Sequence, residues 1–130
     1  MAPTDCDFLG HMNVSKHFAA CSDGVLALQS EMGLTAKDMR EGRRMSFAVV
    51  HADSSFIAEL SAGDAIRLES SVNAIGTKSL TFLHTLVRCE DAVIAFETRF
   101  KCVLLDLKLR RATEIPPDIR DKAQDFMSDT

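Results

Sequence analysis

The sequence predicts an α+β fold in which one long helix packs on an antiparallel β-sheet. Two observations carry this. Val14, Phe18, Cys21, Val25, Leu28 and Met32 recur at alternating steps of four and three, which places them on one face of a helix. After Gly42 the apolar period changes to two, the period of a strand with one buried face. A chain of 130 residues is the length of one domain, so residues 1–130 are read as a single unit.

Asn13 is a suitable N-cap ahead of the apolar stripe, and Gly33 stands where a C-terminal glycine belongs, so the helix is expected over 14–32. Gly24 in its interior costs about 1 kcal/mol relative to Ala, so packing must hold it. Thr35-x-x-Asp38 has the form of a capping box and opens a short helix that stops at Gly42. Four alternating runs follow. The first places Phe47, Val49, His51, Asp53, Ser55 and Ile57 on one side; the others run through Ile66–Val72, Leu80–Leu86 and Ile94–Leu104. Breaks at Ala62-Gly63-Asp64, Gly76-Thr77 and Cys89-Glu90-Asp91 are short enough for hairpins, so a four-stranded meander is expected. Pro116-Pro117 ends the last strand, and Pro117 suits the first turn of a helix over 117–127.

Composition narrows the function. Apolar residues make up 46% of the chain and charged residues 26%, the balance of a globular protein. No apolar run approaches the roughly 20 residues of a membrane span, and the first twenty residues lack the apolar core of a signal peptide. A net charge of −4 disfavours a nucleic-acid binder. The four cysteines, Cys6, Cys21, Cys89 and Cys102, have neither C-x-x-C nor zinc spacing. They read as reduced thiols in a cytoplasmic protein without a metal site.

The densest polar cluster, Thr4 to Asn13, lies directly before the helix. Helix N-termini present unpaired amides with partial positive charge. A carboxylate there can attack a carbonyl carbon or activate water while the amides hold the developing oxyanion. Gly10 lets backbone approach a ligand. The competing reading makes Asp5 and Asp7 turn and capping residues. His11 fits either a pocket wall or a structural role, and Asn13 either a cap or a substrate contact. His17 sits one turn into the helix, off the centre of the stripe. His51 and Asp53 share a strand face, as a His–carboxylate pair or as a polar cluster at an edge. His84 on an apolar strand face reads as a satisfied core histidine. Cys6 between two aspartates is a poor nucleophile, and Ser54-Ser55 lacks the G-x-S-x-G context of a serine nucleophile. Lys78, with Arg110 and Arg111, can meet phosphates.

Asp5-Cys6-Asp7-x-x-Gly10-His11-Met12-Asn13 resembles the D-x-D-x-x-G-H-x-N signature of hotdog-fold acyl-CoA thioesterases, the 4-hydroxybenzoyl-CoA thioesterase-like group. The resemblance continues through the helix, Leu60-x-x-Gly63-Asp64, Gly76-Thr77-Lys78-Ser79-Leu80 and Val103-Leu104-Leu105-Asp106 to Pro116. It implies a hotdog fold and hydrolysis of an acyl-CoA to free acid and CoA, with Asp7 as catalytic carboxylate. It also implies a thioester carbonyl held at the helix start near the Val14 amide, and CoA phosphates at Thr77, Lys78 and Ser79. Gly10, His11, Asn13, His17 and Asp53 are the remaining candidate substrate contacts; His17 stands where family members usually carry Tyr. Sites in the family form between two subunits, so a homodimer or homotetramer is implied. No cofactor is needed, because CoA is part of the substrate. The alternatives are a hotdog hydratase or dehydratase built on His51 and Asp53, and a non-catalytic acyl-CoA-binding module.

Overall fold

The computed structural model describes residues 14–127, with backbone alone for Val14 and Ser15. Asp7, Gly10, His11 and Asn13 lie outside the described residues. The elements are α1 (Val14–Glu31), α2 (Ala36–Arg40), β1 (Met45–Phe56), β2 (Ile66–Ile75), β3 (Ser79–Arg88), β4 (Val93–Asp106), β5 (Arg111–Ala112) and α3 (Pro117–Gln124).

The apolar stripe of α1 is its buried face. Cys21, Val25, Leu28 and Met32 join Phe47, Leu80, Phe82, Leu86, Phe96 and Leu104 of the sheet in one core. Gly33, at φ 103°, reverses the chain so that the Leu34 amide donates to the Gln29 carbonyl at 2.8 Å. The capping box forms: the Thr35 hydroxyl accepts from the Asp38 amide, and the Asp38 carboxylate accepts from the Thr35 amide. Pro117 opens α3, which is anchored by buried Ile119 and Ala123 and by an Arg43–Asp118 ion pair.

The sheet departs from a meander. β2, β3 and β4 pair in sequence, but β1 pairs with β4, giving the order β1-β4-β3-β2, all antiparallel. Ala62-Gly63-Asp64 is therefore no hairpin. Residues 57–65 instead cross the end of the β3–β4 turn. The Ile57 and Ala58 amides both donate to the Ala95 carbonyl, Arg88 donates to the Glu59 carbonyl at 2.8 Å, and Leu60 is buried beneath. The physical reason lies in β4. It spans 14 residues and pairs along both edges, β3 taking one and β1 the other.

A bulge between Val49 and His51 makes a second correction. The extra residue reverses the alternation. Phe47, Val49, Ala52, Ser54 and Phe56 share their side of the sheet with Leu104, Cys102, Phe100, Thr98 and Phe96, the helix side. His51, Asp53 and Ser55 pair with Lys101, Arg99 and Glu97 on the outer side. Among the described helices none is long and apolar enough to cross a membrane.

Candidate active site

α1 begins over the far end of β1. The His17 ring is buried between Phe56 and Phe96, its centroid 5.2 and 4.9 Å from theirs. Phe18 packs on Phe96 and stacks on Phe100. Beside this first turn the helix side of β1 is uncovered. Val49 is 47% exposed and Phe56 54% exposed, with Ala52 also exposed and Ser54 half-buried between them. An apolar strip thus runs from the start of α1 along the edge of β1 that has no partner strand among the described residues. It can hold an acyl chain while the amides of the first helical turn hold a carbonyl oxygen.

A polar row leads from the strip across the sheet and under α1. Ser54, Thr98, His84 and Ser70 are successive cross-strand partners over β1, β4, β3 and β2. The Ser54 and Thr98 hydroxyls share a hydrogen bond at 2.7 Å, and the Thr98 hydroxyl also lies 3.2 Å from the Asp53 carbonyl. At the other end the Ser70 hydroxyl meets His84 Nδ1 at 2.7 Å. Gly24 of α1 sits directly above, where a Cβ would stand 2.6 Å from Ser70 Oγ and 3.1 Å from His84 Nδ1. The close approach of helix to sheet is why this helix carries a glycine. The row was invisible in the sequence, because it exists only once the β1–β4 pairing and its bulge are known.

Among the described residues His84 is satisfied at one nitrogen: Nε2 is buried and finds no hydrogen-bond partner there. The ring stacks on Phe82 and meets Phe100 edge-on. Burial lowers its pKa from 6.5 to about 4. A depressed histidine stays neutral in the fold while the unfolded chain takes up a proton below pH 6.5. Its contribution is therefore intact above pH 6.5 and is lost as pH falls toward 4. The loss totals about 3 kcal/mol at 1.36 kcal/mol per pH unit. Urea unfolding at pH 7 and pH 4.5 is expected to show this fall, and His84→Gln to flatten it. Equal slopes for both proteins contradict the assignment.

The other expected residues lie elsewhere. His51 and Asp53 are both exposed on the outer side, so neither reaches the strip within one chain. Thr77 and Lys78 are exposed in the β2–β3 turn. Lys78 and Arg111 come together around a depression of about 350 Å³ that Asp106, Thr113 and Glu114 also line. Ser79 pairs with Val103, whereas α1 starts at Phe96. Seven residues of strand, roughly 23 Å, separate the two places. Cys21 and Cys102 are buried, and burial pushes both thiols up to about 12, which leaves them inert as nucleophiles. Among the described residues no three His, Cys, Asp or Glu side chains converge as a metal site.

The family profile of the thioesterase-like superfamily matches residues 1–123. No curated protein matches the sequence. Solved structures match throughout. A hypothetical protein from Staphylococcus aureus, determined in complex with CoA, superposes with a TM-score of 0.90 at 19% identity, covering 100% of this chain and 83% of that one. The gentisyl-coenzyme A thioesterase BH1999 gives 0.81 at 17% identity, with 95% of each chain covered. A 1,4-dihydroxy-2-naphthoyl-CoA thioesterase from Synechocystis gives 0.82 at 16% identity, covering 96% of this chain and 91% of that one. At these identities the likeness shows the fold, an α+β hotdog fold.

Proposed function

Because the chain belongs to the thioesterase-like superfamily, we propose that it is a cytoplasmic acyl-CoA thioesterase acting as a homodimer. The observation that carries this reading is the apolar strip that opens beside the first turn of α1. The acyl group lies along Val49, Ala52 and Phe56, and its carbonyl oxygen accepts from the backbone near Val14. Gly10 lets that backbone close on the thioester. Asn13 caps the helix, and His11 flanks the carbonyl. His17 supports the first turn from beneath through its ring contacts.

Asp7 supplies the carboxylate, either attacking the carbonyl carbon or taking a proton from the attacking water. The C–S bond breaks as the tetrahedral intermediate collapses; where Asp7 itself attacks, this leaves a mixed anhydride that a water then hydrolyses, restoring the carboxylate. The thiolate of CoA leaves without a strong acid, and the products are the free acid and CoA. No cofactor enters the reaction.

The β2–β3 turn is too far from the start of α1 to share one site simply within a chain. Antiparallel pairing of two β1 edges reverses one copy against the other, bringing opposite ends of the two sheets to the same side of the assembly. Thr77, Lys78 and Ser79 of a second copy then take the CoA phosphates, and pairs of such dimers account for a tetramer. The pairing also covers an edge that has no partner strand among the described residues, next to exposed Val49 and Val50.

Incubating the protein with short aliphatic, enoyl and aromatic acyl-CoAs is expected to release thiol and free acid in equal amounts. Loss of enoyl absorbance without thiol marks a hydratase instead. Saturable binding without turnover marks a binding module. Either result contradicts the proposal.

A further inference from the structure

The β2–β3 turn is held from inside by three neighbours. The Gly76 amide closes it on the Ser79 carbonyl at 2.7 Å. Arg120 of α3 donates through Nη2 to the Gly76 carbonyl at 2.8 Å and to the Thr77 carbonyl at 3.2 Å. The Thr77 carbonyl also accepts from the Ile115 amide at 3.0 Å, and the Lys78 carbonyl accepts from the Leu104 amide at 2.9 Å. Three successive carbonyls therefore point into the protein. In a trans peptide the N–H points opposite to the C=O of the same plane, so the Thr77 and Lys78 amides point outward, on exposed residues.

Outward amides beside a lysine and a threonine hydroxyl make an anion cradle. Arg111 adds a second cation across the adjoining depression. The cradle keeps its shape only while something occupies the inner carbonyls. Backbone donors serve Thr77 and Lys78, but the bond to Gly76 comes from Arg120. One nitrogen of the guanidinium, Nη2, ties two consecutive carbonyls at once, a grip that is lost when the side chain is shortened or its donors are removed.

From this we infer that Arg120 is a positioning residue for phosphate binding: the C-terminal helix sets, through one side chain, the turn that grips a phosphate of the CoA moiety. The inference rests on the role proposed above for Lys78. Arg120 meets no substrate in this account; it fixes the direction of the amides that do.

The test compares three thioesters of one acyl group: the CoA ester, the dephospho-CoA ester and the N-acetylcysteamine ester, which lacks every phosphate. Arg120→Gln and Arg120→Ala are each expected to raise KM for the CoA ester about tenfold with kcat little changed. The kcat/KM ratio of the CoA ester to the N-acetylcysteamine ester falls about as much. The dephospho-CoA ester identifies the phosphate: an equal fall there assigns the cradle to the diphosphate, and no fall assigns it to the 3′-phosphate. An unchanged ratio in both Arg120 variants, with only a lower melting temperature, reduces Arg120 to an anchor for α3 and overturns the inference. Lys78→Ala keeps the two layers distinguishable. If it lowers the ratio while the Arg120 variants do not, the inference alone fails; if it too leaves the ratio unchanged, the assignment of the turn to CoA phosphates fails with it.

Discussion

Val50→Lys is expected to convert the protein to monomers and to slow thiol release roughly a hundredfold, equivalent to about 2.7 kcal/mol. Val50 is 59% exposed and sits at the bulge near the middle of β1. Among the described residues one edge of β1 is occupied, by β4. When an edge strand pairs antiparallel with its own copy, residues near its centre meet their counterparts across the twofold axis. A lysine there faces a lysine, and like charges directly opposite destabilise strand pairing. The helix start proposed to hold the thioester and the turn proposed to hold the phosphates lie at opposite ends of one sheet. A monomer in the proposed arrangement therefore carries two halves of different sites.

Sedimentation velocity and kcat/KM measured on the same samples check this result. Met127→Lys is the control, a comparable change at a residue 43% exposed and set against β2, at the opposite edge of the sheet from β1. A monomeric Val50→Lys protein with wild-type turnover contradicts the shared site. So does a variant that stays dimeric yet loses activity, because the loss then has another cause.

What the sequence made legible follows the range of the interactions involved. The capping box at Thr35 and Asp38 and the proline at the start of α3 are set by neighbours three or four residues apart, and both are found as expected. The α1 stripe was legible because burial selects a single face at a fixed period. The partner of β1 was not. Backbone donors and acceptors are the same on either edge of any strand, so alternation alone does not say that β1 pairs with β4 rather than β2. The bulge at Val50 then moved His51 and Asp53 from the expected face to the outer one.

Sites follow the same logic. The Asp5–Asn13 motif is contiguous and could be read directly, although it lies outside the described residues. Lys78 and Arg111 were anticipated as neighbours in function and share a depression. The Ser54–Thr98–His84–Ser70 row and the grip of Arg120 on Gly76 and Thr77 depend on tertiary registration across dozens of residues, and no local pattern announces them.

Replacing Asp7 by Asn tests the central claim most directly. The change removes one charge and keeps the size of the side chain. An ordinary aspartate is ionised at neutral pH, whereas an amide neither attacks a thioester nor accepts a proton from water. The helix amides proposed to bind the oxyanion are untouched, and such donors are typically worth about 3–4 kcal/mol, so a residual rate is expected to survive. The account predicts that Asp7→Asn lowers kcat for thiol release by about three orders of magnitude, with the circular dichroism spectrum, melting temperature and KM close to those of wild type. Turnover by Asp7→Asn at the wild-type rate would contradict it.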